Sequence, residues 1–299
     1  MIRLSVVVCT HNRPALLASC LQSLADQSLA GDQYEVIVVD NNSTGSTGEV
    51  IDRFAGRVKN FRSVVETDQG LSHARNRGWR EALGEFVAFI DDDARAAPDW
   101  CERILGAFET VTPRPVLVGG RILPWYETPP PEWFVDELET REWGGTPRFL
   151  HGGNARYGFS GSNMAFAREV LDEYGGFSPA FGMEGGKRRV GEESELCFRI
   201  YADRPAFWYD PAIEVLHWVP VGHYRPGYHF MRGVQSGLAI KRMYGPGCGL
   251  RQRFMEGMDL LLFAAFRFPI ALSTTRRNRR TEMVYLLKEL GGKLGVFLG

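Results

Sequence analysis

The sequence predicts an α/β fold: a mostly parallel, Rossmann-like sheet flanked by helices. Three observations carry that reading. Short runs rich in Val and Ile recur through the first 120 residues. Each is nearly continuous in apolar character, as strands buried on both faces are. Longer segments with helical spacing separate them, and polar clusters follow the strands rather than precede them.

The elements follow in order. "LSVVVC" (Leu4 to Cys9) is the first strand, and Pro14 opens a helix with Leu16, Leu17, Cys20, Leu21 and Leu24 on one face. "EVIVVD" (Glu35 to Asp40), "FRSVV" (Phe61 to Val65), "EFVAFI" (Glu85 to Ile90) and "VLVGG" (Val116 to Gly120) supply further strands. Helical spacing runs through Thr47 to Phe54, Leu71 to Leu83 and Pro98 to Phe108. After Gly120 the texture changes. "LPWYETPPPEWF" (Leu123 to Phe134) reads as an irregular loop and a candidate cover. Gly-rich stretches follow at His151 to Asn163 and Gly175 to Phe177, then a helix at Gly191 to Ala202 and a strand near Ala212 to His217. We read residues 1–120 as a nucleotide-binding half, 121–250 as the acceptor and catalytic half of the same domain, and 251–299 as a helical tail.

A composition of 44% hydrophobic and 24% charged residues with a net charge of −1 is that of a globular protein and gives no basic signature of nucleic-acid binding. The five cysteines (Cys9, Cys20, Cys101, Cys197 and Cys248) are odd in number and form no CxxC pair, which predicts reduced thiols in a cytoplasmic setting. The start of the chain reads as strand, not signal peptide, and no stretch is apolar for the length of a membrane span.

In an open parallel sheet, ligands bind at the carboxyl ends of the strands. The first strand ends in Thr10, His11, Asn12 and Arg13; the second in Asp40, Asn41, Asn42 and Ser43; the fourth in Asp91, Asp92 and Asp93. Each cluster alone could be a helix N-cap. At three strand ends together they point to a nucleotide with its metal. Adjacent side chains diverge at a strand end, so Asp91 and Asp93 can share a side while Asp92 points away. Two such carboxylates suit Mg²⁺ or Mn²⁺. The chain has neither GxGxxG nor GxxxxGK[ST], which argues against a dinucleotide enzyme or a P-loop NTPase. Arg75 and Arg77 in "GLSHARNRG" could reach phosphates or bases, or belong to an ordinary helix face.

"SVVVCTHNRPALLASCLQSL", "EVIVVDNNST", "QGLSHARNRGWREALGEFVAFIDDDA", "GFSGSNMAFAREVLDEYGGF", "GEESELCFRI" and "VLHWVP" occur in the order seen in glycosyltransferase family 2, and the chain resembles that family from about Leu4 to Pro220. The resemblance implies a GT-A fold, a nucleoside-diphosphate sugar donor, UDP above all, and inverting transfer to a saccharide or lipid-linked acceptor in cell-surface polysaccharide or glycolipid assembly. "DDD" resembles the DXD signature, with Asp93 on the metal and Asp91 near the ribose. Asp40 matches the acid that faces the base, and Thr10, Asn12, Arg13, Asn42, Arg75 and Asp92 join it as donor-binding candidates.

The catalytic base would be Glu193, where the family more often has Asp; Glu192 and Glu195 compete for that role. An acidic helix start is the plain alternative, since acids there favour the helix dipole. Glu192 and Asn163 are the acceptor or sugar candidates, and His217 joins Asp91 and Asp93 as a metal candidate. Trp133, Trp143 and Tyr126 could stack on a sugar, but core packing is the better reading of such aromatics. A metal-dependent nucleotidyltransferase and a non-catalytic nucleotide-sugar-binding protein stay open as alternatives. A processive synthase is disfavoured by the absence of Gln-x-x-Arg-Trp and spanning helices.

Residues 251–299 lie beyond the resemblance and hold nine Arg or Lys against four Asp or Glu. "MDLLLFAAFRFPIALSTTRRNRR", with Arg276, Arg277, Arg279 and Arg280, resembles an interfacial segment on anionic lipid at the inner face of the cell membrane. A helical hairpin and a homodimer contact are the alternatives.

Overall fold

The computed structural model describes residues 1–151, 158–182, 190–244, 250–269 and 278–298. Cys248, Arg276, Arg277 and residues 152–157 of the Gly-rich stretch lie outside them. The chain divides into two compact units, each built from several stretches. The first holds residues 1–125, 140–187 and 192–218; the second holds 126–139, 188–191 and 219–299.

The first unit is built on alternating strands and helices: β1 (Leu4–Thr10), α1 (Pro14–Ala25), β2 (Tyr34–Asp40), α2 (Thr47–Phe54), β3 (Phe61–Val65), α3 (Leu71–Glu81), β4 (Phe86–Asp91), β5 (Ala94–Ala96) and α4 (Trp100–Thr110). It continues with β6 (Leu117–Tyr126), β7 (Arg148–Phe149), β8 (Met164–Ala167), α5 (Arg168–Tyr174), α6 (Glu192–Asp203) and β9 (Phe207–Val219). The sheet order is β3-β2-β1-β4-β8-β6-β9-β5, with β7 also on β9. The run β3-β2-β1-β4 is parallel. β8 pairs antiparallel with both β4 and β6. The register sets Thr10 opposite Asp40 and Cys9 opposite Asp91, so the polar ends of β1, β2 and β4 are level with one another.

The apolar runs explain this centre. Val6, Val7, Val8, Val36, Ile37, Val38, Val39, Val87 and Phe89 are all essentially buried, as strands covered on both faces must be. Helix α1 turns Leu17, Cys20, Leu21 and Leu24 onto them. Helix α3 approaches closely through Gly78, where a Cβ would overlap the Val7 side chain. Cys9, Cys20, Cys101 and Cys197 are free thiols.

The short strands β5, β7 and β8 are absent from the sequence reading, and two others run longer than that reading. β6 runs on to Tyr126, so Leu123 to Tyr126 are strand rather than loop. Pro124 lies past Leu117–Gly119, the stretch of β6 that pairs with β8. β9 is likewise longer than the piece read near Ala212 to His217.

In the second unit, α7 (Pro226–Tyr244), α8 (Leu250–Leu262) and α9 (Arg279–Leu298) are the main helices. A Cβ on Gly233, Gly237, Gly291 or Gly295 would strike the backbone of the facing helix, so glycines let α7 and α9 touch main chain to main chain. The Pro-rich segment is fastened here. Trp133, Phe134 and Leu138 form a small core with Val219 and Val284. Tyr224 donates to the Thr128 carbonyl at 2.7 Å, and Arg232 pairs with buried Glu139 at 2.8 Å.

Candidate active site

The site grows from the three level strand ends of the first unit. After β1 and β2 the chain makes tight bends with Asn12 at φ 55° and Asn42 at φ 62°. That is left-handed backbone, which Asn tolerates better than most residues. The two bends are stitched together. The Asn12 amide donates to Ser43 Oγ at 2.9 Å, and the Thr44 amide donates to Asn12 Oδ1 at 2.7 Å. Asp40, half-buried, accepts from the Ser43 amide at 2.9 Å, while Asn42 is exposed.

The three consecutive acids at the end of β4 go to two places. Asp92 turns inward and is 5% exposed. It accepts from Thr10 Oγ1 at 2.7 Å and from Arg13 at 3.3 Å. Burial, opposed by Arg13 and assisted by Asp93, pushes it up to about 7. Asp92 and Thr10 therefore bond to each other rather than lining open space as donor contacts. Arg13 also reaches Asp93 at 2.8 Å and stays half-exposed.

Asp91 and Asp93 face His217 of β9. With one ligand atom from each, the three lie within 4.8 Å of one another, and His217 Nε2 is 3.2 Å from Asp93 Oδ1. His217 Nδ1 is 3.1 Å from the Trp218 carbonyl, which can only accept, so Nδ1 donates. Nε2 then faces carboxylate oxygens and needs a positive centre between them: its own proton or a bound cation. Two carboxylates and an imidazole nitrogen are a donor set that fits a divalent ion of the Mn²⁺ or Mg²⁺ kind, the nitrogen favouring Mn²⁺.

Arg75 ties this group to α6. It is 2% exposed, donates to Asp91 at 3.0 Å and to Glu192 at 2.8 Å, and lies over the Phe177 ring. Both of its ends are engaged by protein carboxylates, so it braces the site instead of projecting into it. Burial would raise Asp91, but Arg75, then His217 and a 2.5 Å bond from Ser162 outweigh it and hold the carboxyl below its usual range. One guanidinium cannot neutralise two acids. Burial first, then Glu193, push Glu192 up to about 8 against the pull of Arg75. Of the three acids on the first turn of α6, Glu195 is paired with Arg199 at 2.7 Å. Glu193 is half-buried and accepts from the Gly161 amide at 3.4 Å. It has no ion pair among the described residues.

Asn163 is placed elsewhere. It is wholly buried, accepts from Trp100 Nε1 at 2.8 Å, and donates to the carbonyls of Arg121 and Ile213 at 3.0 and 2.8 Å. Its amide is fully spent on protein, so it fastens strands and does not meet an acceptor. Ser162, inside the quoted "SGSN", is the residue that sequence reasoning passed over. A hydroxyl between Gly161 and the buried Asn163 carried no signal of its own.

Three comparisons bear on this geometry. The family model for glycosyl transferase family 2 matches residues 5–175, more than half of the chain. A glucosyl-dolichyl phosphate glucuronosyltransferase of Haloferax volcanii is 33% identical over 211 residues, covering 67% of this chain and 63% of its own length. The chain thus spans less than two thirds of that relative. Among solved structures, a mannosyltransferase from Pyrobaculum calidifontis in complex with GDP-Man and Mn²⁺ aligns with a TM-score of 0.56 at 22% identity, over 96% of this chain and 69% of that one. Residues 1–349 of TarS from S. aureus, in complex with UDP, align with a TM-score of 0.58 at 15% identity, over 92% and 76%. These neighbours share the GT-A fold. The matched residues begin in β1 and end just past α5, and so include the level strand ends and the three acids; by that match the chain belongs to glycosyl transferase family 2.

Proposed function

We propose that the protein is an inverting glycosyltransferase. It moves one sugar from a nucleoside-diphosphate sugar, UDP-linked by preference, to a hydroxyl of a saccharide or lipid-linked acceptor in cell-surface polysaccharide or glycolipid assembly. The observation that carries this reading is the meeting of Asp91, Asp93 and His217 at the end of a parallel strand, in the same unit as the half-buried Glu193. The relative named for a dolichyl phosphate acceptor and the neighbours solved with GDP-Man and with UDP support it.

Asp91, Asp93 and His217 would hold Mn²⁺ or Mg²⁺, which when bound supplies Lewis-acid stabilisation of a diphosphate leaving group. The remaining work falls to the chain itself. Arg75 and Ser162 keep Asp91 charged and fixed. Asp40, Asn12 and Asn42, on the stitched bends, line the nucleotide. Arg13, half-exposed beside Asp93, offers positive charge to a phosphate. Glu193 takes the proton of the acceptor hydroxyl as that oxygen attacks the sugar from the face opposite the leaving group, and a single displacement inverts the anomeric carbon.

Incubation with Mn²⁺ and a panel of UDP-, GDP- and dTDP-sugars tests this reading through melting temperature, nucleotide release and the anomeric configuration of the product. Glu193→Gln abolishes transfer and leaves the donor-induced melting shift in place. Full transfer by that variant, or retention at the anomeric carbon, overturns the reading.

A further inference from the structure

From Met255 to Leu262, helix α8 is inverted. In a water-soluble helix the apolar stripe faces the protein and the charges face out. Here Met255, Met258 and Leu262 recur at i, i+3 and i+7 with Leu261 beside them, and they are 61%, 38%, 48% and 64% exposed. Glu256 points the other way. Both of its oxygens are 2.8 Å from Lys241 of α7, a lysine that is 6% exposed. At the edge of the stripe, Asp259 bonds to Lys293 of α9 at 2.5 Å. The charges of Glu256 and Asp259 are thus used within the helical unit, and the apolar side chains of Met255, Met258, Leu261 and Leu262 are left to the surroundings.

The exposed surface continues past the stripe. Ala264 and Ala265 are exposed in the π-helical turn that follows α8. Phe297, whose ring lies beside Gly257 of α8, is 43% exposed, and Leu298 is 62% exposed. Isolated exposed leucines need no explanation, but a continuous apolar face of this kind does. No helix among the described residues is long and apolar enough to cross a membrane, so the face suits a helix lying in an interface, not one spanning it.

Charge selects the occupant. Arg267 at the end of the turn and Arg279 and Arg280 at the start of α9 are exposed. A second copy of this chain would bring like charge against them, whereas phosphate headgroups complement them. We infer that the exposed face of α8, with Phe297 and Leu298, docks on an anionic lipid bilayer, with Arg267, Arg279 and Arg280 on the headgroups. This surface is independent of the sugar-transfer reading, because none of its residues belongs to the site around Asp91.

Flotation of the full chain with vesicles tests the inference, using phosphatidylcholine alone and an equal mixture of phosphatidylcholine and phosphatidylglycerol. The protein floats with the mixed vesicles, less with the neutral ones, and added salt weakens the difference. Leu261→Asn and Leu262→Asn, at positions already exposed, each weaken binding to both vesicles by about tenfold. Arg279→Gln and Arg280→Gln each weaken binding to the mixed vesicles by about fivefold and spare the neutral ones. Leu83→Asn, at a leucine 66% exposed in the first unit, changes nothing. Melting curves identify any variant that fails to fold. Failure to float with either vesicle overturns the inference. So does a soluble dimer that Leu261→Asn dissociates, which would make a second copy the occupant.

Discussion

Replacing Arg75 with methionine keeps most of the aliphatic bulk and removes a cation that braces two acids. Arg75 and Glu192 have side chains only 3% and 5% exposed, and Asp91 is 27% exposed. Their bonds, at 3.0 and 2.8 Å, are charge-assisted. Removing one partner of a buried pair costs about 3–5 kcal/mol, because the other charge stays behind. Two features place the cost near about 3 kcal/mol, the lower end of that range. Asp91 keeps its bond from Ser162, and Glu192, already pushed up to about 8, can take a proton.

The sign of the pH dependence follows. The lowered pKa of Asp91 contributes stability that is present above its unfolded value, near about 4, and is lost as pH falls through the folded one. Arg75 is the largest cause of that lowering, so the variant loses this contribution. Glu192 is raised, so its protonated form is favoured at low pH and its contribution falls as pH rises toward 8. Without Arg75 that fall is steeper. The gap between parent and variant is therefore widest near pH 8 and narrows toward pH 4. Urea denaturation with EDTA at both pH values measures it. A cost below about 1 kcal/mol at pH 8, or the same cost at both, would refute the bracing role.

Asp93→Ala weakens Mn²⁺ binding, read by calorimetry, by at least about tenfold, since even changes behind a metal ligand cost that much; unchanged affinity removes Asp93 from the metal set. Asn163→Ala leaves Trp100 Nε1 and two carbonyls without partners and lowers stability by about 3 kcal/mol. Unaltered stability with loss of transfer alone would return Asn163 to the acceptor site. Gly237→Ala lowers stability by about 1–3 kcal/mol, through overpacking against the backbone of α9, even though alanine is the better helix former by roughly 1 kcal/mol. A more stable variant would show that α7 and α9 can move apart freely.

The legible parts of this chain are those where local pattern and burial coincide. A strand covered on both faces must be apolar throughout, so β1, β2 and β4 could be read from their Val-rich runs. Helix α2 shows its buried face, Val50, Ile51 and Phe54, at helical spacing. What could not be read depends on where a side chain points after folding. Asn163 looks like a ligand-binding amide until Trp100, Arg121 and Ile213 arrive from three other parts of the chain. Arg75 looks like a phosphate contact until α6 brings Glu192 to it. The apolar residues of α8 read equally as an interfacial segment or as one side of a helical hairpin, and the lysine partners of Glu256 and Asp259 on α7 and α9 separate the two by turning the charges inward.

The acids at the end of β4 make sense as a charge balance. Asp91, Asp92, Asp93, Glu192 and Glu193 bring five carboxyl groups to one region, against the guanidinium groups of Arg13 and Arg75. The protein does not spread the deficit evenly. Burial pushes Asp92 and Glu192 up to about 7 and about 8, so near neutrality these two give up much of their charge. Asp91 is held below its usual range by Arg75, His217 and Ser162, at the place where a cation would sit. The buried acids thus carry less of the negative charge, and the charge that remains gathers beside His217, where a divalent ion gains most from it. A helix cap needs one such acid and no imidazole partner. The run of three, split between an inward brace and an outward pair, is what favours a metal-binding reading over capping.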